Sequence, residues 1–113
     1  MGYSFPLYLL ILTKMTSKIQ FEFSGKIWHS DGPGGWYFIS LPIDISAEIR
    51  NNLRSEEEGW GRLKARAKIG NTDWDSAIWF ATKLNTYLLP LKAEVRKKEK
   101  LEKGKVVSVV LWL

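Results

Sequence analysis

The stretch Tyr87–Leu113, YLLPLKAEVRKKEKLEKGKVVSVVLWL, decides the fold. Tyr87–Leu89 is apolar enough for a strand. Pro90 turns the chain into a short charged helix, because a fixed φ and a missing N–H cost nothing in a first helical turn. Leu91 and Val95 then share one helical face, and Glu94→Lys98 and Glu99→Lys103 are favourable pairs four residues apart. Gly104 is expected to supply the left-handed residue that stops the helix. Val106–Leu113, β-branched and aliphatic, reads as a largely buried final strand.

The same signals occur earlier. Tyr37–Arg50 holds a strand, Leu41-Pro42-Ile43 and then Ala47-Glu48-Ile49-Arg50; Tyr87–Arg96 holds a strand, Leu89-Pro90-Leu91 and then Ala93-Glu94-Val95-Arg96. Used twice, strand, Leu-Pro and helix predict two related halves around a pseudo-twofold axis. Between and before them, Lys18–Trp28 alternates, with Ile19, Phe21, Phe23 and Ile27 on one face. His29–Gly35 is a turn cluster leading to a strand over Trp36–Leu41. Ile43–Leu53 has apolar positions 45, 49 and 53 at helical spacing, with Asp44 or Ser46 available to cap it. Arg54–Gly59 reads as an acidic surface connection.

Gly61–Gly70 is the clearest strand: Arg62, Lys64, Arg66 and Lys68 fall on one face, Leu63, Ala65, Ala67 and Ile69 on the other. Asn71–Asp73 turns the chain, and Trp74–Phe80 returns as its hairpin partner. Closure removes the vulnerable edges of so many short strands. The expected fold is mainly β, a small closed β-barrel of about six strands with two short helices and a pseudo-twofold internal repeat.

A chain of 113 residues has room for one core. It has no cysteine, which excludes a disulfide scaffold and fits a reducing, cytoplasmic setting. A net charge of +5 suits an anionic partner, and six tryptophans supply either core bulk or stacking surfaces. Phe5–Leu12 is apolar but much shorter than the roughly 20 residues a bilayer demands, so no membrane partner is expected. It also lacks a basic flank and a small-residue cleavage site. Residues 1–14 read as a leader or a misassigned start before Met15, and residues 15–113 as a single barrel domain.

Catalysis has little support. His29-Ser30-Asp31 contains the residue types of a hydrolytic triad, but triads are assembled from separated positions. Asp73 and Asp75 flank Trp74 at a turn, where aspartate is ordinary. One histidine and no cysteine leave no zinc site, and Gly32–Gly35 lacks the Lys-Ser/Thr of a phosphate loop. No metal, no cofactor and no enzymatic activity are expected. Two binding sites compete. Trp36, Trp74 and Trp79 with Lys92 and Arg96 could hold a small planar anion. Alternatively, Arg62, Lys64, Arg66 and Lys68 span roughly 20 Å of strand, comparable to several phosphates of a nucleic acid. A solvated strand face balanced by Glu22 or Glu56–Glu58 would explain the same row.

GGWYFISLP (Gly34–Pro42), WGRLKARAKIGNTDWDSAIW (Trp60–Trp79) and YLLPLKAEVRKKEKLEKGKVVSVVL (Tyr87–Leu111) together resemble the domain-of-unknown-function 1905 family, over about residues 18–113. The resemblance implies a compact barrel and no established activity. The leader before Met15 departs from the family pattern, as does Lys105, where that pattern often has an acidic residue. A looser similarity is to the swapped-hairpin barrels of AbrB-type regulators, whose half-barrels also run strand, Pro, basic helix, Gly, strand, like Leu89–Val110. Those regulators bind DNA as dimers, whereas this chain carries both halves itself. The expectation is a non-catalytic barrel that binds a small anionic ligand or a protein partner, with nucleic-acid binding through Arg62–Lys68 as the alternative.

Overall fold

Alternation along Gly61–Gly70 becomes strand β3, Arg62–Ile69, with Leu63, Ala65, Ala67 and Ile69 buried and Lys64 and Lys68 exposed. The computed structural model describes residues 19–31 and 35–113. Its other strands are β1 (Gln20–His29), β2 (Tyr37–Ser40), β4 (Thr72–Ala81), β5 (Thr86–Pro90) and β6 (Val106–Trp112). All pairings are antiparallel, and they close a barrel in the order β1-β2-β5-β4-β3-β6. Helix α1 (Ile43–Leu53) follows β2, and helix α2 (Ala93–Glu99) follows β5.

Exchanging β1 with β4, β2 with β5 and β3 with β6 leaves every pairing in that order unchanged. The internal repeat is therefore a symmetry of the barrel, with β2·β5 and β3·β6 meeting across the axis. Ile39 pairs with Leu89 in the first of these and Ala67 with Leu111 in the second; all four are fully buried. Interior filling comes from Ile27, Ile78, Tyr87 and Val109 beside them, with Ile49 of α1 and Val95 of α2 added from outside the sheet.

Several expectations about local structure are corrected. Helix α1 has the expected bounds, but neither Asp44 nor Ser46 caps it. The Asp44 carboxylate accepts from the Ile45 amide at 2.9 Å. The Ser46 hydroxyl turns inward, accepting from the Tyr87 amide at 3.0 Å and meeting the Thr86 hydroxyl at 2.7 Å. These buried polar groups satisfy one another, as burial requires.

Pro90 is the last residue of β5, not the first of a helix, and Leu91 lies ahead of α2. That helix ends at Glu99, with Lys100 in the left-handed conformation at φ 53°; Gly104 has a positive φ too, but in the turn into β6. The expected Glu99→Lys103 pair has no helix to sit on, and Glu99 accepts from the Thr72 hydroxyl at 2.6 Å. The connection after α1 is two tight 3-10 turns, Arg54–Glu56 and Gly59–Gly61. It is not merely surface. Between the turns, Glu57 sends its carboxylate inward to the Tyr87 hydroxyl and lies 3.7 Å from Arg50. The reading of residues 1–14 as a leader falls outside the described residues.

Candidate functional site: a splayed seam beside two tryptophans

Strand β4 pairs with the whole length of β3, from Ile69↔Thr72 to Arg62↔Trp79. Against β5 it pairs only at Trp79↔Leu88, Phe80↔Tyr87 and Ala81↔Thr86. Continuing that register would set Pro90 opposite Ala77. Proline has no N–H to give to a ladder, so pairing stops there. The two strands splay apart, and a cavity of about 610 Å³ opens between Ala77 on one side and Pro90–Lys92 on the other.

Two aromatic side chains flank this cavity. Trp79 comes from the outward face of β4, and Trp36 from the segment ahead of β2. Trp36 is 58% exposed and lies nearly parallel to Phe38, with ring centroids 6.2 Å apart. Phe38 in turn packs on Trp28 at 5.1 Å, and the Trp28 indole donates to the Ser40 hydroxyl at 3.0 Å. The exposed ring of Trp36 thus extends an aromatic row fixed to β1 and β2.

The rim is mainly cationic. Arg62, Lys64 and Lys92 line it, with Asp75 the one carboxylate among the lining residues. Asp75 is already engaged, accepting from Arg66 at 2.7 Å. Arg62 donates to Glu58 at 2.6 Å, and its guanidinium carbon lies 6.0 Å from the centre of the Trp79 ring. Among the described residues, neither Lys64 nor Lys92 has a carboxylate in ion-pair range. The cavity therefore offers apolar walls with two uncompensated ammonium groups at the edge.

The expected tryptophan site divides. Trp36, Trp79 and Lys92 come together at the cavity. Trp74 does not join them: it is 6% exposed and points into the barrel, where its indole N–H has no hydrogen-bond partner. Trp79 is five positions after Trp74, an odd number, so a strand must send them to opposite faces. Arg96 is also displaced from the lining. Its guanidinium stacks on Tyr37 at 4.0 Å, and its Nε donates to the Leu91 carbonyl at 3.2 Å, bracing the segment that carries Lys92.

The basic row is on one face of β3, as expected, but it is partly neutralised by its hairpin partner. Arg66 donates to Asp73 at 3.0 Å and to Asp75, and Lys68 stands opposite Asp73 in the register. The hydrogen bonds from Arg66 hold the Asp73 carboxyl below its usual range, and they raise the guanidinium in turn. Glu58 balances Arg62, as its acidic run suggested. Glu22 lies instead on β1 opposite Val110, bonded to Gln20. Lys64 is thus the member of the row that belongs wholly to the cavity.

His29-Ser30-Asp31 assembles no relay. The His29 ring packs on Tyr37 at 4.5 Å, and the Ser30 hydroxyl accepts from the Trp36 amide at 3.3 Å. Among the described residues, no three His, Cys, Asp or Glu side chains converge in a way that would hold a metal ion. Trp60 is 94% exposed at φ 69° between two glycines, and it stands apart from the cavity lining. Sequence reasoning missed Ala77 and Pro90 as parts of the site. The available signal was a proline falling within an apolar strand, which marks a place where a ladder must end.

The family model for a domain of unknown function (DUF1905) matches residues 23–111, from β1 through nearly all of β6. No curated protein matches the chain. The match takes in four strands whole and most of β1 and β6, both helices and every residue of the seam, and the chain belongs to the DUF1905 family.

Proposed function

We propose that the protein is a non-catalytic binding domain, acting in the cytoplasm, whose seam between β4 and β5 takes a small anionic ligand with an apolar or planar body. One observation carries this reading: the cavity of about 610 Å³ joins Trp36 and Trp79 to Lys64 and Lys92, whose charges have no carboxylate partner among the described residues. Cavities of this size suit small molecules, and a few polar groups on an apolar lining orient what binds. A nearby cation also attracts an anion more strongly where apolar walls reduce the screening by water.

The nucleic-acid reading has less in its favour, because Arg66 and Arg62 already serve Asp73, Asp75 and Glu58. Calorimetric titration with 2-naphthoate tests the preferred reading. Saturable binding is expected, weakened about tenfold by Lys92→Ala, a loss of roughly 1.4 kcal/mol. Binding as strong as the parent's in both the Lys92→Ala and the Lys64→Ala variant would remove the seam from consideration.

A further inference from the structure

We infer that the seam recognises the C-terminal end of an extended peptide, pairing its main chain with the free edge of β4 and receiving its terminal carboxylate at Lys64 and Lys92. The inference rests on the anion-binding reading above and specifies the ligand's backbone. It begins with the direction of main-chain groups. In an antiparallel strand, successive residues aim their N–H and C=O to opposite sides. The Leu41 amide donates to the Tyr87 carbonyl at 2.9 Å, and the Leu91 amide to the Tyr37 carbonyl at 2.9 Å. Tyr87, Leu89 and Leu91 therefore face β2, while Leu88 and Pro90 face β4.

Trp79 pairs with Leu88, so Trp79 faces β5, and so do Ala77 and Asp75 two and four residues before it. The β4·β5 ladder stops at Trp79↔Leu88. Ala77 and Asp75 thus present main-chain donors and acceptors to the cavity they line, and Pro90 across from them can return only a carbonyl. An open strand edge inside a groove is the arrangement that binds extended peptides by adding a strand.

The charges fix which part of a peptide fits. Lys64 is the β3 neighbour of Ala77, and Arg62 is the neighbour of Trp79. Lys92 approaches from the other wall, two residues past Pro90. Lys64 is level with Ala77 and, in the continued register, Lys92 is level with Asp75, whose carboxylate Arg66 already holds, so the two free ammonium groups flank the middle of the open edge. A free α-carboxylate beside Lys64 and Lys92 would leave the preceding peptide unit level with Ala77. The terminal side chain would then lie among Trp36, Trp79 and Leu91. A small anion uses the cations alone; a peptide acid uses the cations and the edge.

The experiment compares three probes on the full chain: acetyl-Ala-Leu-Phe as the free acid, its C-terminal amide, and the free acid methylated at its peptide nitrogens. The acid is expected to bind at least about tenfold tighter than either analogue. The Ala77 amide should exchange with solvent at least about tenfold more slowly when the acid is bound. Because the chemistry is altered in the ligand, no variant needs to fold. If 2-naphthoate binds but the three peptides bind equally or not at all, the small-anion reading stands and the peptide inference is overturned. If neither naphthoate nor any peptide binds, both are overturned. Apparent peptide affinity that falls as protein concentration rises would assign the open edge to a second copy of the chain, which also overturns the inference.

Discussion

Pro90 lies where the β4·β5 register would place a partner for Ala77, and it has no amide hydrogen to complete the pair. A single residue type thus sets the length of the ladder and the mouth of the cavity. Replacing it by alanine restores the donor. Pro90→Ala is expected to give residue 90 a slowly exchanging amide, read by hydrogen exchange, and to narrow the seam so that 2-naphthoate binds more weakly. The added hydrogen bond is worth about 1 kcal/mol, against a similar loss of proline's restriction on the unfolded chain, so the melting temperature should hardly move. A fast-exchanging amide at residue 90, with unchanged binding, would mean that something else keeps the strands apart.

Tyr87 buries its ring in the core and delivers its hydroxyl to Glu57. Burial, with the adjacent carboxylate second, pushes the phenol well above its usual value. A raised folded-state value means that the folded chain keeps a proton which the unfolded chain gives up. Its stabilising contribution is present below about pH 10, the unfolded value, and is lost as pH rises beyond it. Tyr87→Phe should destabilise by about 1–3 kcal/mol at neutral pH, because the part-buried Glu57 loses its hydroxyl donor and keeps only the Arg50 pair. Denaturant titrations of the variant should also show a shallower fall in stability at alkaline pH.

The two faces of β3 should respond oppositely to the same residue. Ala67 is fully buried opposite Trp74 and Leu111, so Ala67→Leu should cost about 1–3 kcal/mol by overpacking. Lys64 is exposed, and Lys64→Leu should be nearly neutral for stability while weakening anion binding. Urea midpoints for the two variants decide the matter, and equal midpoints would contradict the interior placement of Ala67.

Ser46 joins α1 to β5 through the Tyr87 amide and the Thr86 hydroxyl, and it is 1% exposed. Ser46→Ala leaves the Tyr87 N–H without its acceptor, which should cost about 1–3 kcal/mol. The same substitution at Ser108, exposed on β6, serves as the control and should stay within about 0.5 kcal/mol of the parent.

The Arg66 pairs make a prediction for salt and for acid. If oligonucleotides bind through the basic row, changing Arg62 and Arg66 to Ser should flatten the salt slope by roughly two units. The expected result is feeble binding at physiological salt and little change in the double variant. Submicromolar, salt-sensitive binding lost on the double change would reverse the ranking of the two functions. The depressed Asp73 carboxyl contributes stability above the ordinary carboxylate range, and this is lost as pH falls through its lowered value. Arg66→Ser should remove that component of acid sensitivity.

Much of the fold was legible because burial imposes a period. The β3 alternation and the bounds of α1 follow from which residues must avoid water, and the two Leu-Pro segments announced a repeat. Parity likewise told Trp74 from Trp79, but not which of them faces inward. Pro90 was harder, since Leu-Pro followed by Ala-Glu reads equally as a helix start or as a strand's last residue. Which meaning holds depends on whether its nitrogen faces a paired or an open neighbour. That is a property of β4, not of the residues around Pro90. Glu57 and Ser46 were hidden for the same reason, their partner Tyr87 being 30 and 41 residues away.

The exchange symmetry of the six strands makes the chain a dimer written as one polypeptide, joined at the Gly70-Asn71 turn. A true dimer must carry identical copies of any cleft, but a fused one is free to let its copies differ. Here Pro42 and Pro90 occupy equivalent positions with unequal surroundings. Beyond the β1·β2 ladder, Gly25 has no side chain, and Ile39 packs where a Cβ would stand. Helix α1 also begins directly after Pro42, whereas two further residues precede α2. The large cavity lies on the Pro90 side. The asymmetry leaves one half of the barrel as scaffold for the seam of the other, so the proposed ligand would bind once per chain.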